Sequence, residues 1–337
     1  MDIIPSCFYP TTVCVVDDDE HYLDALEASL STKDQGNLFC FFSDANEALE
    51  YLNKKHKEAN LARKWVETLD AHLPDNHLIK INFKDVAKEL TDDKRFGEVS
   101  VVVVDYDMPS MDGIQFCKKL QSPYVQKIMA TGAADETLAV SAFNGKVIDA
   151  FIGKHAADFW ANVESKIRRL QNLYFAKLTY PLHLSLKLKT KASLLLEDPV
   201  FIQFFEDLLV EYQIQEYYQL ESSGSFILFD NKGEHHVLFV YNKDKINADK
   251  LEIASDLEDE VSPSLKKAIL SEQKMLCYYD MLRYDLPPLS EWHKYALAFK
   301  TLEGKFGCYY YAFASNYLEL DPLHLKTFQS FRLQERP

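Results

Sequence analysis

The chain has 337 residues, 47% of them hydrophobic, which is too much for one ordinary core and suits two domains. Lys and Arg number 37 against 52 Asp and Glu, a formal charge of −15, so non-specific attraction to nucleic acid or anionic lipid is disfavoured. No run approaches the roughly 20 apolar residues of a membrane span, and Met1-Asp2-Ile3-Ile4-Pro5 lacks the basic start and apolar core of a signal peptide. A cytoplasmic address without membrane association is therefore expected. Cys7, Cys14, Cys40, Cys117, Cys277 and Cys308 are scattered, form no C-x-x-C pair and read as reduced core thiols.

From Thr12 to about Phe175, apolar β-type runs alternate with helical periodicity, the pattern of a parallel sheet covered by helices. Strands are predicted at Val13–Val16, Leu38–Phe42, Val99–Val104, Val125–Met129 and Ala150–Ile152. The unbroken run Val101-Val102-Val103-Val104 fits a central strand buried on both faces. Leu23, Leu26 and Leu30 share one helical face, as do Phe159, Val163, Ile167, Leu170 and Tyr174. In open α/β sheets the ligand site lies beyond the carboxyl ends of the strands. There the sequence places Asp17-Asp18-Asp19, Asp105-Tyr106-Asp107, Thr131 and Lys154. Gathered carboxylates repel one another, and a hard divalent cation such as Mg²⁺ relieves that repulsion through oxygen ligands. A lysine and a threonine hydroxyl beside it suit phosphoryl oxygens.

Four motifs, Asp17-Asp18, the run from Asp105 to Gly113 (DYDMPSMDG), Ala130-Thr131-Gly132 and Phe151-Ile152-Gly153-Lys154, together resemble the signature set of the receiver domains of two-component response regulators. The resemblance covers about half the chain. It implies a flavodoxin-like (βα)5 α/β fold, CheY-like, with a parallel five-stranded sheet. It also implies that Asp17 and Asp18 hold Mg²⁺ directly or through water, with Asp107 lending its backbone carbonyl. Asp105 is then the phosphoacceptor, attacking the phosphoryl group of a histidine kinase, phosphotransfer protein or small phosphodonor. Thr131 and Lys154 bind the phosphoryl oxygens, and Phe151 stands at the aromatic switch position that packs inward when Thr131 moves. Asp19 reads as a solvated neighbour at the start of the first helix, where a carboxylate suits the dipole.

Two departures stand out. His155 follows Lys154 where the family usually has proline, so the cis peptide of the family is in doubt here. Asp18 and Asp105 are also about twice as far apart as in most receivers, which places an insertion at about 54–97. Leu61, Trp65 and Leu69 predict an amphipathic helix in it, Ile79, Ile81 and Phe83 a short strand, and Phe83, Val86 and Leu90 the start of another helix.

These readings give a receiver over 10–176 and an output domain over 177–337. Leu178-Thr179-Tyr180-Pro181 reads as a hinge, and Leu182, Leu184, Leu186 and Leu188 as a strand or extended connector. Asp198-Pro199, Ser262-Pro263 and Asp321-Pro322 each place a capping side chain before a proline at a helix start. Segments 225–229 and 236–241 predict one β-hairpin, and 295–300 with 307–313 another, so the output is expected to be α+β with an antiparallel sheet.

Residues 192–231 contain no Lys or Arg, and residues 181–337 carry 17 basic and 24 acidic side chains, a balance of −7, which disfavours a nucleic-acid-reading helix. His235 and His236 are adjacent in a strand and point to opposite faces, a poor metal chelate. The reading is a response regulator that is not an enzyme beyond its own phosphoryl transfer and dephosphorylation. Phosphorylation would switch homodimerisation and a protein- or ligand-binding output. A DNA-binding transcriptional regulator and an enzymatic output are the alternatives.

Overall fold

The computed structural model describes the chain except residues 1–2, 32–36, 59–65, 71–76, 82–87, 133–135, 155–158, 190, 256–260, 280–286, 319–324 and 336–337. It divides into two compact units, Phe8–Lys64 with Asp93–Tyr180, and Asp2–Cys7 with Trp65–Asp92 and Pro181–Pro337.

In the first unit, β1 (Thr12–Val16), β2 (Leu38–Phe42), β3 (Val99–Asp105), β4 (Gln126–Thr131) and β5 (Ala150–Gly153) form one sheet in the order β2-β1-β3-β4-β5. Every pairing is parallel. β3 lies at its centre, and all seven of its residues are buried, as its run of valines requires. The helices α1 (Glu20–Ser31), α2 (Ala45–Glu58), α3 (Gly113–Lys119), α4 (Glu136–Asn144) and α5 (Phe159–Lys189) complete an α/β fold of flavodoxin type. Leu23, Leu26 and Leu30 of α1 join Val163, Ile167 and Leu170 of α5 over one face of the sheet. The other face carries Ala45, Ala48, Leu49 and Leu52 of α2 with Phe116, Cys117, Ala139 and Ala142.

α5 corrects the reading of residues 178–188 as a hinge followed by an extended connector. The helix runs through them with Pro181 inside it. Leu182 and Leu186, four apart, are buried whereas Leu184 is exposed, which is helical and not strand periodicity. Leucines at every second position satisfy both periods at once, so their spacing alone could not decide. Near the proline, Thr179 donates its hydroxyl to the Phe175 carbonyl at 2.8 Å and Ser185 to that of Pro181 at 2.7 Å.

The second unit is α+β. The strands β6 (Ile214–Gln219), β7 (Phe226–Asp230), β8 (His235–Tyr241), β9 (Lys274–Leu276), β10 (Ala296–Ala298), β11 (Lys300–Glu303) and β12 (Cys308–Ser315) follow in chain order. The short strand Cys7–Phe8 and β6, β7, β8, β12 and β11 line up as a six-stranded sheet. The expected hairpin β7–β8 is present, with Ile227 opposite Val237. The second expected hairpin divides: Lys300–Glu303 pairs with β12, but Ala296–Ala298 pairs with β9 in a separate ribbon. Around the sheet lie α6 (Pro199–Glu211), α7 (Lys243–Ala254), α8 (Pro263–Leu270) and α9 (Phe328–Glu335). Asp198 caps α6 with its side chain, while Ser262 precedes α8 without a side-chain cap bond. The Asp321-Pro322 cap lies outside the described residues.

The segment read as an amphipathic helix through Leu69 is instead a strand, Val66–Asp70, paired antiparallel with His77–Ile81. Three apolar positions are too few to separate the two periods, and Val66 and Thr68 favour the extended state. The strand expected around Ile79 and Ile81 is present, Leu61, Trp65, Phe83 and Val86 lie outside the described residues, and Leu90 falls in a 3₁₀ turn.

Two buried acids tie distant parts of this unit together. Asp198 accepts hydrogen bonds from the Val200 N–H (3.0 Å), the Phe306 N–H (2.8 Å) and the Tyr309 hydroxyl (2.8 Å). Glu216 accepts from the Tyr218 hydroxyl (2.9 Å) and from the N–H of Phe328, where α9 begins (2.6 Å). Burial alone would raise the Asp198 carboxyl, but the N–H groups of Phe306 and Lys305 and the Tyr309 hydroxyl outweigh it and hold the carboxyl below its usual range. A depressed carboxylate stabilises the fold above its unfolded pKa, about 4, and that stability is lost as pH falls through the lower folded value. Asp198→Ala is therefore expected to cost about 3 kcal/mol at neutral pH in chemical denaturation. The gap from wild type should narrow as pH drops below about 4.

Candidate phosphoacceptor site

The carboxyl ends of β1, β3, β4 and β5 bring Asp17, Asp105, Thr131 and Lys154 to one edge of the sheet. The Lys154 ammonium lies 2.8 Å from Asp17 Oδ2 and 2.9 Å from Asp105 Oδ2, bridging the two. The backbone secures this placement: Lys154 N–H donates to the Thr131 carbonyl at 2.8 Å, and Tyr106 N–H to that of Ala130 at 3.0 Å. Asp17 and Asp105 are 3% and 8% exposed, whereas Asp18 is open to solvent. One carboxylate oxygen from each of Asp17, Asp18 and Asp105 falls within 4.8 Å of the others, a grouping that could hold a metal ion.

Three carboxylates face one ammonium, so the site carries an excess of negative charge in a partly dry setting. Burial pushes the Asp105 carboxyl up, the Lys154 contact opposes this, and Asp17 adds to the rise. Burial alone would lower Lys154, but its bonds to Asp17 and Asp105 prevail and raise it, so the ammonium stays charged. Asp105 Oδ1 also accepts from the Tyr106 N–H at 2.8 Å. The Thr131 side chain is fully buried, and its hydroxyl has no hydrogen-bond partner among the described residues. An orphaned buried hydroxyl is costly and marks a place for a partner.

The other predicted residues are dispersed around this centre. Asp107 is exposed in the loop after β3. Phe151, half-buried on β5, already packs against the core cluster containing Met129 and Ala139, with its ring 6.0 Å from that of Phe143. Asp19 is exposed and caps α1, accepting from the Tyr22 N–H at 3.1 Å. His155 lies outside the described residues. His236 is buried with Nδ1 2.8 Å from Ser315 Oγ.

Sequence reasoning missed Tyr22 and gave Gly113 no role of its own. The Tyr22 ring lies 5.4 Å from the Lys154 ammonium, one turn into the helix that follows the acidic run, and that position was its one available signal. Gly113 donates its N–H to the Tyr106 carbonyl at 2.9 Å, and a Cβ there would come within 2.4 Å of the Asp105 carbonyl oxygen.

The model for the response regulator receiver domain matches residues 60–158, a span holding Asp105, Asp107, Thr131 and Lys154 but starting after Asp17 and Asp18. Residues 60–158 thus match the receiver-domain family, and the first unit has that family's fold. The strands β1 and β2 precede the matched span. The solved structure of the response regulator LqsR of Legionella pneumophila is 26% identical with a TM-score of 0.77, covering 98% of this chain and 96% of that one. The adenylate cyclase of Rhodopirellula baltica (22%, TM-score 0.33) covers 54% of this chain and 99% of its own. A CheY-like receiver of Methanospirillum hungatei JF-1 (19%, TM-score 0.32) covers 49% and 96%. No curated protein matches the chain.

A Cβ at Gly113 would have to push backbone rather than a flexible side chain, the more costly kind of clash. Gly113→Ala is expected to destabilise the receiver by about 2 kcal/mol in urea denaturation and to weaken Mg²⁺ binding in calorimetry. Unchanged values for both would show that the loop beside Asp105 yields freely.

Proposed function

We propose that the chain is a Mg²⁺-dependent phosphorylation switch in which Asp105 accepts a phosphoryl group from a histidine kinase or phosphotransfer protein. The observation that carries this reading is the Lys154 ammonium, bonded to both Asp17 and Asp105 beside a buried Thr131 hydroxyl that has no partner among the described residues. The donor set fits Mg²⁺: three carboxylates, all oxygen ligands, with the Asp18 side open to the waters this ion retains. Asp17, Asp18 and Asp105 would hold it, with the Asp107 backbone carbonyl. When bound, it neutralises charge on the carboxylates and the incoming phosphoryl oxygens.

The residues of the chain divide the remaining work. The Asp105 carboxylate attacks phosphorus as the bond to the donor imidazole breaks, and the imidazole nitrogen keeps the electron pair. Lys154 then has a new partner in the phosphoryl oxygens and holds charge where it accumulates. The Thr131 hydroxyl donates to another of those oxygens. Phe151 accompanies the Thr131 shift by packing deeper beside Phe143, a two-state change that the phosphoryl group biases. Such coupling is typically worth about 1–3 kcal/mol.

The surface of α4 supports homodimerisation as the readout, because Leu138, Val140 and Phe143 are 45%, 44% and 45% exposed there. The second unit then serves as a protein- or ligand-binding output, consistent with its acidic balance. Incubated with acetyl phosphate and Mg²⁺, wild type is expected to gain the mass of one phosphoryl group and to elute earlier on size exclusion. Asp105→Asn should do neither. An adduct on both proteins would place the acceptor elsewhere.

A further inference from the structure

Cys14 and Cys40 stand side by side in the receiver. β1 and β2 are parallel neighbours, and Cys14 is in direct register with Cys40. Both pack with the same core cluster on the α2 face of the sheet. Side chains in register on adjacent strands and on one face are nearest neighbours, and the Cys40 thiol adds to the upward push that burial gives Cys14. Paired strands lie roughly 4.8 Å apart, inside the window of about 4.4–6.8 Å between Cα atoms that a disulfide spans.

The two thiols differ in access. Cys14 is fully buried on an inner strand, and burial pushes its thiol up, so it remains protonated. Cys40 is half-buried on β2, the outermost strand, so an oxidant in solution reaches it first. That pairing of an accessible sulfur with a sheltered one is the arrangement a two-step thiol oxidation needs.

We propose that Cys14 and Cys40 form a peroxide-oxidisable dithiol that closes into a disulfide between β1 and β2, a modification site on the strand that leads into Asp17. In the first step the Cys40 thiolate takes one oxygen from hydrogen peroxide. The O–O bond breaks, giving Cys40 sulfenic acid, and the second oxygen leaves as water after gaining protons. In the second step the Cys14 sulfur attacks the Cys40 sulfur, the S–O bond breaks, and the departing hydroxide takes the Cys14 proton as water. Two thiols and one peroxide become one disulfide and two waters.

The test uses the full chain, reduced and then exposed to hydrogen peroxide, with free thiols counted after denaturation. The count is expected to fall from six to four. Non-reducing peptide mapping should show one Cys14–Cys40 linked peptide that dithiothreitol releases. Cys14→Ala should instead leave a sulfenic acid on Cys40 that dimedone traps. Six surviving thiols in the wild type, oxidation of Cys40 without linkage to Cys14, or linkage of either to Cys308 would each overturn the proposal. These decisive readings come from the wild-type chain, so they stand whether or not the variant folds.

Discussion

One ammonium between two buried carboxylates organises the receiver. Left to themselves, Asp17, Asp18 and Asp105 would repel one another at the end of a sheet whose interior is apolar. Lys154, carried there by β5, meets Asp17 and Asp105 with contacts under 3 Å and offsets part of that repulsion. Four strand ends converge on this arrangement, so its geometry depends on the sheet register beneath it. The valine-rich β3 supplies the rigid centre, and the close approach of Gly113 to the Asp105 backbone fixes the loop on the other side. The compensation is only partial, and the net negative charge that remains is what a cation would offset.

The second unit also uses buried acids, but to different ends. Asp198 gathers N–H and O–H donors from the start of α6 and from the β11–β12 turn, and Glu216 receives the beginning of α9. Both carboxylates are spent on holding chain segments together. Asp198 and Glu216 are thus each met by several donors, whereas Asp17 and Asp105 share one ammonium, and partner count separates the two uses where composition does not.

Much of the receiver was legible in the sequence because its signals are local and redundant. Five apolar runs with helical spacing between them define the sheet, and the chemistry sits at or just after the last residue of β1, β3, β4 and β5. The output was legible where a cap names its helix, as Asp198-Pro199 does, and where a turn joins alternating runs, as in β7–β8. Reading failed where two periods fit equally well. Leucines at 182, 184, 186 and 188 describe a strand or a helix, and the helix of α5 won by continuing from a strongly periodic start through Pro181. Leu61, Trp65 and Leu69 likewise could not outweigh the β-branched Val66 and Thr68. The contact between Tyr22 and Lys154, and the register of Cys14 with Cys40, join residues far apart in the chain, and nothing local in the sequence announces either.

We propose that uncompensated carboxylate repulsion draws a divalent cation to this pocket. Thermal unfolding of wild type and Lys154→Met, each with and without millimolar Mg²⁺, tests it most directly. The account predicts that Mg²⁺ raises the unfolding temperature of wild type, and that Lys154→Met unfolds earlier without the ion and gains more from it. An unfolding temperature indifferent to Mg²⁺ in both proteins would contradict it.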